Sequence, residues 1–347
     1  MYDQMPMLIG WDIGGAHLKA ALVDERGQAI KVFQLSCPLW KGTTELVSAM
    51  QRMLKLMEAS DVQHVVTMTG ELVDYFPNRQ TGVREIKHVV ISLLGEEVRF
   101  YAGQLGFISA EEVDSNALHI ASMNWHASAS FVAKHVQDAL FIDIGSTTTD
   151  LIPVQAKQLM NQATTDADRM ASNALIYTGV IRTPLMAIGQ KITFREKSYH
   201  VAAEHFATSA DVYRLLGQLP ECVDIAETAD GQGKTMSETA RRIARMIGYD
   251  VDDASMQDWM ALAEAFKALQ MYQLRQAVMQ YTQNNSVVLV GAGVGDFLVK
   301  EIATVLECTY LNVIDMIQAE ERTTLQNAAI CFPAYALACL AIDDGNH

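Results

Sequence analysis

Two stretches of the chain show the same order of apolar and polar positions. The first covers residues 7–24 and the second begins at Ala139. Each contains an apolar run, the triplet Asp-Ile-Gly, a few small or polar residues and a second apolar run. Two apolar runs joined by a short glycine-containing loop predict a β-hairpin. The triplets begin at Asp12 and Asp143, about one domain length apart, so we expect one such hairpin in each of two domains.

Helical spacing of apolar positions predicts further elements. Residues 43–59, 84–94 and 254–282 fit α-helices, and residues 115–134 are mostly helical in pattern. The valine-containing segment 62–68 predicts a buried strand that ends at Thr69-Gly-Glu71. The polar and glycine-containing run 78–82 predicts a turn.

A third glycine-rich segment, residues 291–295, follows a predicted strand at 286–290 and precedes a predicted helix at 297–306. A strand that passes through a glycine loop into a helix is typical of phosphate or nucleotide sites. The glycine spacing differs from G-x-G-x-x-G, which argues against a Rossmann dinucleotide site. The segment Gly231–Thr235 ends like a P-loop, but Thr228 stands where the first glycine is required. We interpret it as the loop before a helix capped by Ser237.

Composition and charge narrow the class of protein. The 347 residues are 50% hydrophobic, and 26 basic against 41 acidic residues give a formal net charge of −15. This balance argues against nucleic acid or an acidic membrane surface as the main partner. Five scattered cysteines include no C-x-x-C pair and indicate reduced thiols. With no signal-peptide pattern at the N-terminus and no apolar run of about 20 residues, we expect a cytoplasmic protein.

The two hairpins carry the residue types that bind phosphate. Glycines without Cβ let the backbone approach a ligand closely, and hydroxyl groups donate to phosphate oxygens. Arg182 is a candidate for bidentate phosphate contact, with a structural salt bridge as the alternative. The predicted phosphate-binding set is Gly14, Gly15, Ala16, Gly145, Ser146, Thr147, Thr148, Gly291, Ala292, Gly293 and Arg182.

Carboxylates at the strand ends point to a metal. Asp12 and Asp143 would face the same anion, which requires Mg²⁺ or a similar divalent cation, or its water shell, between them. The alternative for both residues is hairpin capping. The nine histidines form no H-x-x-x-H or Cys/His cluster, so we expect no zinc site.

These features resemble the superfamily of acetate and sugar kinases, Hsp70 and actin. The resemblance implies an α/β protein of the two-lobed, actin-like ATPase (ribonuclease H-like) fold, with a mixed five-stranded sheet and helices in each lobe and a cleft between them. It implies a first lobe at residues 1–138 and a second at 139–347. The second lobe would contain a helical insert at about 155–285 and the glycine loop at 291–295. A last helix at 328–342 would cross back to the first lobe.

A closer resemblance covers nearly the whole chain. It is to hydantoinase/oxoprolinase-like proteins of tetrahydromethanopterin-linked one-carbon transfer, which include the methanofuran-pathway synthases. The matching stretches are Asp12–Lys19, Met68–Leu72, Asp143–Asp150, Tyr177–Pro184, Phe206–Tyr213, Gly233–Thr235, Ala240–Arg245 and Asn327–Tyr335. The resemblance implies a transferase that condenses aminomethyl-furanmethanol diphosphate with the phenol of a glutamyl-tyramine or tyrosine acceptor and releases diphosphate. Such a reaction needs Mg²⁺ and neither requires nor excludes ATP.

Four residues are candidates for the chemistry, each with a plain alternative. Lys19 would meet a terminal phosphate, or be a solvated strand lysine. His17 would donate to the leaving diphosphate, or be an ordinary loop histidine. Glu71 would take the phenolic proton, or cap a helix, and Asp150 is a second candidate for the same role.

Two other classes of function use the same loops. One is an ATP-dependent small-molecule kinase or a hydantoinase/oxoprolinase-type ATPase that acts in the same cleft. The other is a nucleotide-gated chaperone or filament protein. The preferred partners are the small-molecule furan diphosphate and the phenolic acceptor, without nucleic acid or membrane, and the sequence leaves a homo-oligomer open.

Overall fold

The computed structural model describes residues 7–160, 163–282 and 287–345. These residues contain fifteen strands, namely β1 (Met7–Ile13), β2 (His17–Val23), β3 (Gln28–Ser36), β4 (Val62–Met68), β5 (Arg99–Tyr101), β6 (Phe107–Ile108), β7 (Ala139–Ile144), β8 (Thr149–Gln155), β9 (Gln158–Leu159), β10 (Leu175–Ile176), β11 (Lys191–Phe194), β12 (Lys197–His200), β13 (Val288–Ala292), β14 (Tyr310–Asn312) and β15 (Gln318–Ala319).

The same residues contain twelve α-helices, namely α1 (Thr43–Met57), α2 (Arg79–Leu94), α3 (Ala117–Ile120), α4 (Asn124–His135), α5 (Asp166–Ala171), α6 (Leu185–Ile188), α7 (Ser209–Leu215), α8 (Met236–Arg245), α9 (Met256–Thr282), α10 (Asp296–Val305), α11 (Arg322–Ile330) and α12 (Phe332–Gly345). Short 3₁₀ turns lie at Leu39–Lys41, Gly70–Leu72, Gly103–Leu105, Ala110–Glu112, Val251–Asp253 and Val313–Met316.

The contacts divide the chain into two compact units. Unit 1 comprises Met1–Ala139, Ile152–Arg169 and Asn312–His347, and unit 2 comprises Leu140–Leu151 and Met170–Leu311. The first segment of unit 1 ends at Ala139, one residue after the predicted limit, and the segment Ile152–Arg169 also groups with unit 1. The domain limits given above stay a prediction.

The sheet of unit 1 has seven strands in the order β15-β3-β2-β1-β4-β5-β6. The resemblance implied five strands, and the observed sheet has seven because the two-residue strands β15 and β6 extend it at its edges. Strand β1 pairs antiparallel with β2 and parallel with β4. Helix α12 packs on β1, β2 and β4, where a Cβ on Gly10 would lie 2.2 Å from the Ala334 carbonyl oxygen. Glycine at this position therefore sets the spacing between helix and sheet.

The second sheet has six strands, with the path β10-β8-β7-β13-β14 and β9 paired to β8. Helices α7, α8 and α9 of unit 2 pack around Trp259 and Phe266. The ring of Phe194, from the β11–β12 hairpin, stacks on Trp259 at 5.1 Å. The region 155–285, predicted as a helical insert, contains α5–α9 and the strands β9–β12. Its residues 161–162 and 283–285 lie outside the described residues.

Two helix starts differ from the sequence prediction because side chains cap them. Helix α2 begins at Arg79, and the Asn78 side chain accepts from the Thr81 amide at 2.8 Å. The predicted turn at 78–82 was therefore wrong. Helix α8 begins one residue after Thr235, which forms a capping box with Glu238. Thr235 is the N-cap, and Ser237 lies inside the helix.

Two apolar segments are broken where continuous elements were expected. The predicted helix at 115–134 is interrupted between α3 and α4, where Ser122 has a φ of +57°. The C-terminal apolar segment forms α11 and α12, whose axes differ by 97°. Within the described residues, no single helix is long and apolar enough to cross a membrane. In the same part of the chain, only α11 and α12 taken together have the required length and apolar composition.

The strand before the third glycine turn ends two residues later in the chain than expected. Strand β13 runs from Val288 to Ala292, so Gly291 and Ala292 are its last residues. Only residues 293–295 form the turn before α10. Ser286, where the strand was predicted to begin, lies outside the described residues.

Candidate functional site

The loop of the first hairpin, residues 14–16, turns its carbonyl groups toward the protein. The Gly14 amide donates to the His17 carbonyl at 3.0 Å and closes the turn. The carbonyl of Gly15 accepts from the Leu39 amide, and that of Ala16 accepts from the Cys37 amide. Among the described residues, the amides of Gly15 and Ala16 donate to no backbone carbonyl. Successive free N–H groups of this kind form an anion-binding concavity.

The loop of the second hairpin repeats this arrangement in unit 2. The Gly145 amide donates to the Thr148 carbonyl at 2.9 Å. The Ser146 carbonyl accepts from the amides of Ile181 and Arg182. A Cβ on Gly179 would lie 2.6 Å from the Ser146 carbonyl carbon, so glycine is required for this close approach. The backbone of Arg182 thus supports the loop, while its side chain is exposed.

The third glycine segment also lies against the second hairpin. A Cβ on Gly293 would lie 2.3 Å from Asp143 Oδ1, and Gly293 has a φ of +79°. The Gly295 amide donates to the Ile144 carbonyl at 2.8 Å. Asp296 accepts from the Tyr310 hydroxyl at 2.6 Å, a contact that the sequence did not indicate. Unit 2 therefore brings the second hairpin, residues 179–182 and the turn 293–295 together.

Asp12 and Lys19 face each other across the first hairpin. They are partners in the β1–β2 register, with Asp12 Oδ2 3.4 Å from Lys19 Nζ. Burial raises the pKa of Asp12, against the opposing effects of the Lys19 ammonium and the Asn124 amide. Asp12 Oδ1 is buried without a hydrogen-bond partner among the described residues. The side chain of Lys19 is mostly covered.

The positions that match Lys19 and His17 in the second hairpin carry different chemistry. Asp150 lies in β8, opposite Leu175 of β10, and corresponds in the repeat to Lys19. His17 is the first residue of β2 and lies opposite Ser36 of β3. The residue of the second hairpin that corresponds to His17 is Thr148. The first hairpin therefore has a cation where the second has a carboxylate.

Glu71 is buried beside the first hairpin. The Thr69 amide donates to the Ile13 carbonyl at 2.9 Å, which fixes the end of β4 against the hairpin loop. A Cβ on Gly82 would lie 2.7 Å from the Glu71 carbonyl oxygen. Helix α2 therefore packs directly on the Glu71 backbone, and the Glu71 side chain is 1% exposed.

Burial raises the pKa of Glu71 to about 7, and the neighbouring Asp166 carboxylate adds to this effect. Hydrogen bonds, including one from the Ser122 hydroxyl at 3.0 Å to Oε1, and the Arg79 charge oppose it. Glu71 Oε2 is buried with no hydrogen-bond partner among the described residues. A carboxyl with a pKa near neutrality and one unpaired oxygen is suited to general base chemistry.

Asp166 and two arginines complete this cluster. Arg79 Nη2 lies 3.0 Å from Asp166 Oδ2, and Arg169 Nη1 lies 3.6 Å from Asp166 Oδ1. The Arg169 guanidinium stacks 4.1 Å above the Trp125 ring. We call Glu71, Ser122, Asp166, Arg79 and Arg169 the acid cluster. Apart from Glu71, sequence reasoning missed all of it, and the only local signal was the Asp166–Arg169 spacing of three on one helix.

The structure therefore groups the predicted residues by unit. Unit 1 brings together the first hairpin and Glu71, with Ser122 before α4 hydrogen-bonded to Glu71 and Asn124, the first residue of α4, beside Asp12. The predicted residues of this group are Asp12, Gly14, Gly15, Ala16, His17, Lys19 and Glu71. Unit 2 brings together Asp143, Gly145, Ser146, Thr147, Thr148, Arg182 and Gly293, with Gly291 and Ala292 in the adjoining strand and Asp150 on β8.

No group of three or more His, Cys, Asp or Glu side chains able to hold a metal lies within the described residues. A cation here would therefore have few protein ligands. The unpaired buried Oδ1 of Asp12 is a suitable oxygen for Mg²⁺, which commonly binds through one or two carboxylates plus water and phosphate oxygens. The residues present thus fit such an ion.

The fold and the paired glycine hairpins define an α/β protein of the actin-like ATPase class, as predicted. The chain belongs to the hydantoinase/oxoprolinase family, whose sequence model matches residues 63–338, and the predicted resemblance is confirmed. Among solved structures, nucleotide-free acetone carboxylase is similar in fold, with a TM-score of 0.57 at 11% identity over 96% of this chain and 70% of that one.

Two curated relatives are similar in sequence. The (4-{4-[2-(gamma-L-glutamylamino)ethyl]phenoxymethyl}furan-2-yl)methanamine synthase of Methanocaldococcus jannaschii is 33% identical over 245 residues, which is 70% of this chain and 72% of that protein. The protein of the same name from Methanococcus vannielii is 28% identical over 224 residues, 63% of this chain and 97% of that protein. Because its relatives are synthases, the chain is an enzyme.

Proposed function

We propose that this enzyme is a methanofuran-type synthase that forms an ether between a furan methyl carbon and a phenol. The names of its relatives describe a product with a phenoxymethyl-furan linkage. The proposed donor is aminomethyl-furanmethanol diphosphate, and the acceptor is the phenol of a glutamyl-tyramine or a tyrosine. The observation that carries this proposal is Glu71, a buried carboxyl with a pKa of about 7 and an unpaired oxygen beside a loop of free amides.

The leaving diphosphate is the charge that the enzyme must stabilise. The amides of Gly15 and Ala16 would donate to its oxygens, and Lys19 would contribute a positive charge. The second hairpin offers a loop of the same kind with the hydroxyls of Ser146 and Thr147. Bound Mg²⁺ would supply charge neutralisation, held by Asp12 and Asp143. That the two hairpins bind one anion stays a prediction.

Proton transfer follows from the position of Glu71. As the phenol oxygen bonds to the furan methyl carbon, the bond from that carbon to the diphosphate oxygen breaks. The furan oxygen stabilises the positive charge that develops on the carbon. The phenolic proton passes to Glu71 Oε2, and the diphosphate leaves with the electron pair. Glu71 must be ionised for this step. Its Oε2 accepts no hydrogen bond from the described residues, so proton uptake breaks no existing hydrogen bond and is favoured.

The test is product analysis with the purified enzyme, Mg²⁺ and the furan diphosphate. Tyrosine, tyramine and their glutamyl forms are offered separately, with ether formation followed by mass spectrometry. We expect diphosphate release only when donor and phenol are both present. Steady ADP formation from ATP with a hydroxyl acceptor, and no ether, would instead establish the kinase alternative. Glu97→Gln, a change at an exposed carboxyl, is the matched control for Glu71→Gln.

A further inference from the structure

Ser122 occupies a backbone conformation that few residues other than glycine adopt. Its φ is +57°, and it is 4% exposed between α3 and α4. A non-glycine residue in this region costs free energy unless its surroundings compensate. The compensation here is its hydroxyl, which lies between two carboxyl groups.

The geometry gives this hydroxyl two acceptors for one proton. Ser122 Oγ lies 3.0 Å from Glu71 Oε1 and 3.2 Å from Asp166 Oδ2. A serine hydroxyl donates only one hydrogen bond. When both carboxyl groups are ionised, one of them must therefore go without this hydrogen bond.

The two carboxyl groups differ in what surrounds them. Asp166 has a guanidinium beside each oxygen, with Arg79 Nη2 3.0 Å from Oδ2 and Arg169 Nη1 3.6 Å from Oδ1. Glu71 is buried, and the charged groups that face it are Asp166 and Arg79. Glu71 is therefore the group that gains and loses a proton near neutral pH.

We infer that the Ser122 hydroxyl is a two-position donor that couples Glu71 to Asp166. It donates to Glu71 Oε1 when Glu71 is ionised and turns to Asp166 Oδ2 when Glu71 is protonated. Only the direction of one hydroxyl hydrogen changes, so no proton is transferred between the three side chains. Ser122 is a positioning residue. Its catalytic consequence rests on the proposed function. When Glu71 takes the phenolic proton, the Ser122 hydroxyl turns to a charged acceptor, the Asp166 carboxylate.

The direct test is a pH titration of the carboxyl groups by ¹³C NMR on protein labelled at Asp and Glu side chains. Glu71→Gln and Asp166→Asn assign the two resonances. In the wild type we expect the Asp166 resonance to shift with the Glu71 midpoint. Ser122→Gly accepts the positive φ and removes the hydroxyl in both protonation states. We expect the Glu71 midpoint to rise, because ionised Glu71 loses the shorter of the two hydrogen bonds, whereas Asp166 keeps Arg79 and Arg169 beside it when the serine is absent. The shift of the Asp166 resonance at the Glu71 midpoint should decrease to the size that the changing charge on Glu71 produces through space.

A double-mutant cycle separates the switch from simple proximity. Asp166→Asn removes a negative charge and so lowers the Glu71 midpoint in both backgrounds. We expect the Glu71 midpoint to decrease more with Ser122 present than in the S122G background. Only the Ser122 hydroxyl loses a charged acceptor when Asp166 becomes asparagine. Equal decreases would overturn the inference, and so would an unchanged or lowered midpoint in S122G. If Asp166→Asn does not fold, the midpoints of S122G and S122A decide alone.

The NMR measurements need no substrate, so they are independent of the proposed reaction. If the synthase reaction occurs, the acidic limb of kcat/KM should move to higher pH in S122G together with the Glu71 midpoint. A protein that shows the coupling but forms no ether would contradict the proposed function and leave the switch intact. A protein that forms the ether with additive midpoints would contradict only the switch.

Discussion

Unit 2 contains a second buried group of charges, which differs from the acid cluster in how its members are paired. Arg242 is fully buried and donates from Nε to Asp211 at 2.8 Å and from Nη1 to Asp230 at 3.0 Å. Arg214 binds Asp211 and makes two hydrogen bonds to Asp224. We call these five residues the paired cluster. Its cations and carboxylates contact each other directly, whereas Glu71 in the acid cluster has an oxygen with no partner.

This difference appears in the pKa values. Burial alone would raise the pKa of Asp224, but hydrogen bonds and charges from Arg214 and Lys234 outweigh it and lower that pKa. For Glu71 burial prevails, and its pKa is raised. A carboxyl held ionised by paired cations maintains structure, and a carboxyl without such a partner is available for proton transfer. We therefore expect the paired cluster to contribute stability, and Glu71 to be the carboxyl of the acid cluster that is available for reaction.

The largest expected effect is on the stability of the paired cluster. Arg242→Ala removes one cation from buried Asp211, which keeps Arg214, and from half-buried Asp230, which keeps Arg241. Breaking a buried ion pair from one side costs at most about 3–5 kcal/mol of unfolding free energy, and we expect a loss of that order or somewhat less. Urea denaturation followed by circular dichroism measures the change. Arg245→Ala, at an exposed position of the same helix, should change stability by less than about 0.5 kcal/mol. Similar midpoints for both variants would contradict the structural role.

The second effect is on activity in the acid cluster. Glu71→Gln removes the proposed base and should lower kcat/KM for ether formation by about 10²–10⁴-fold. The fold should survive, because an uncharged amide is easier to bury than a carboxylate. Ether formation and thermal unfolding are measured together, with Glu97→Gln as control. Wild-type activity in the folded variant would remove Glu71 from the reaction.

The third effect is a pair of opposite pH dependences. Burial raises the pKa of native Glu71 from 4.5 to about 7, so the folded protein holds this proton to a higher pH than the unfolded chain does. The contribution of Glu71 to stability therefore falls as pH rises between these two pKa values, by on the order of 3 kcal/mol at most. Glu71→Gln should therefore gain stability relative to the wild type between about pH 5 and 7. Asp224 has a lowered pKa, so its contribution is present at neutral pH and is lost on acidification. Urea titrations from about pH 7 down to about pH 3 check both slopes, because Glu71 changes stability between about pH 5 and 7 and Asp224 only below its ordinary pKa of 3.8. Glu71→Gln and Asp224→Asn assign the two slopes, and a change of the same sign in both variants would contradict the comparison.

The smallest effect tests the segment that resembles a P-loop. Thr235→Ala removes the observed cap of α8 and should cost about 1 kcal/mol, with ether formation unchanged. Ser237→Ala, at the cap predicted from sequence, should change stability by less than about 0.5 kcal/mol. The two denaturation curves decide between the positions. A loss of activity in Thr235→Ala without a loss of stability would return this loop to the candidate site.

The first hairpin could be predicted from the sequence because its pattern is local. A two-residue loop at Gly15-Ala16 places Asp12 and Lys19 opposite each other, and the structure has this register. Strand β4 also has the predicted bounds, because the valines and the methionine of Val62–Met68 are followed by Thr-Gly-Glu, which marks the end of the strand. Such features depend on a few neighbouring residues.

The acid cluster could not be predicted because it depends on tertiary contacts. Ser122 and Asp166 are far from Glu71 in sequence, and no motif includes the three residues. Arg79 was assigned to a turn because Asn78 resembles a turn residue as much as a helix cap. The positive φ of Ser122 leaves no trace in the sequence, since serine rarely adopts it.

In both hairpin loops, folding itself has already oriented the amide dipoles. The Gly15 and Ser146 carbonyls are held by amides from later parts of the chain, at Leu39 and at Ile181 and Arg182. An arriving anion would therefore lose little binding free energy to loop ordering, since the chain entropy was lost when each unit folded. Selectivity between anions would then come from loop shape and nearby charge rather than from induced fit.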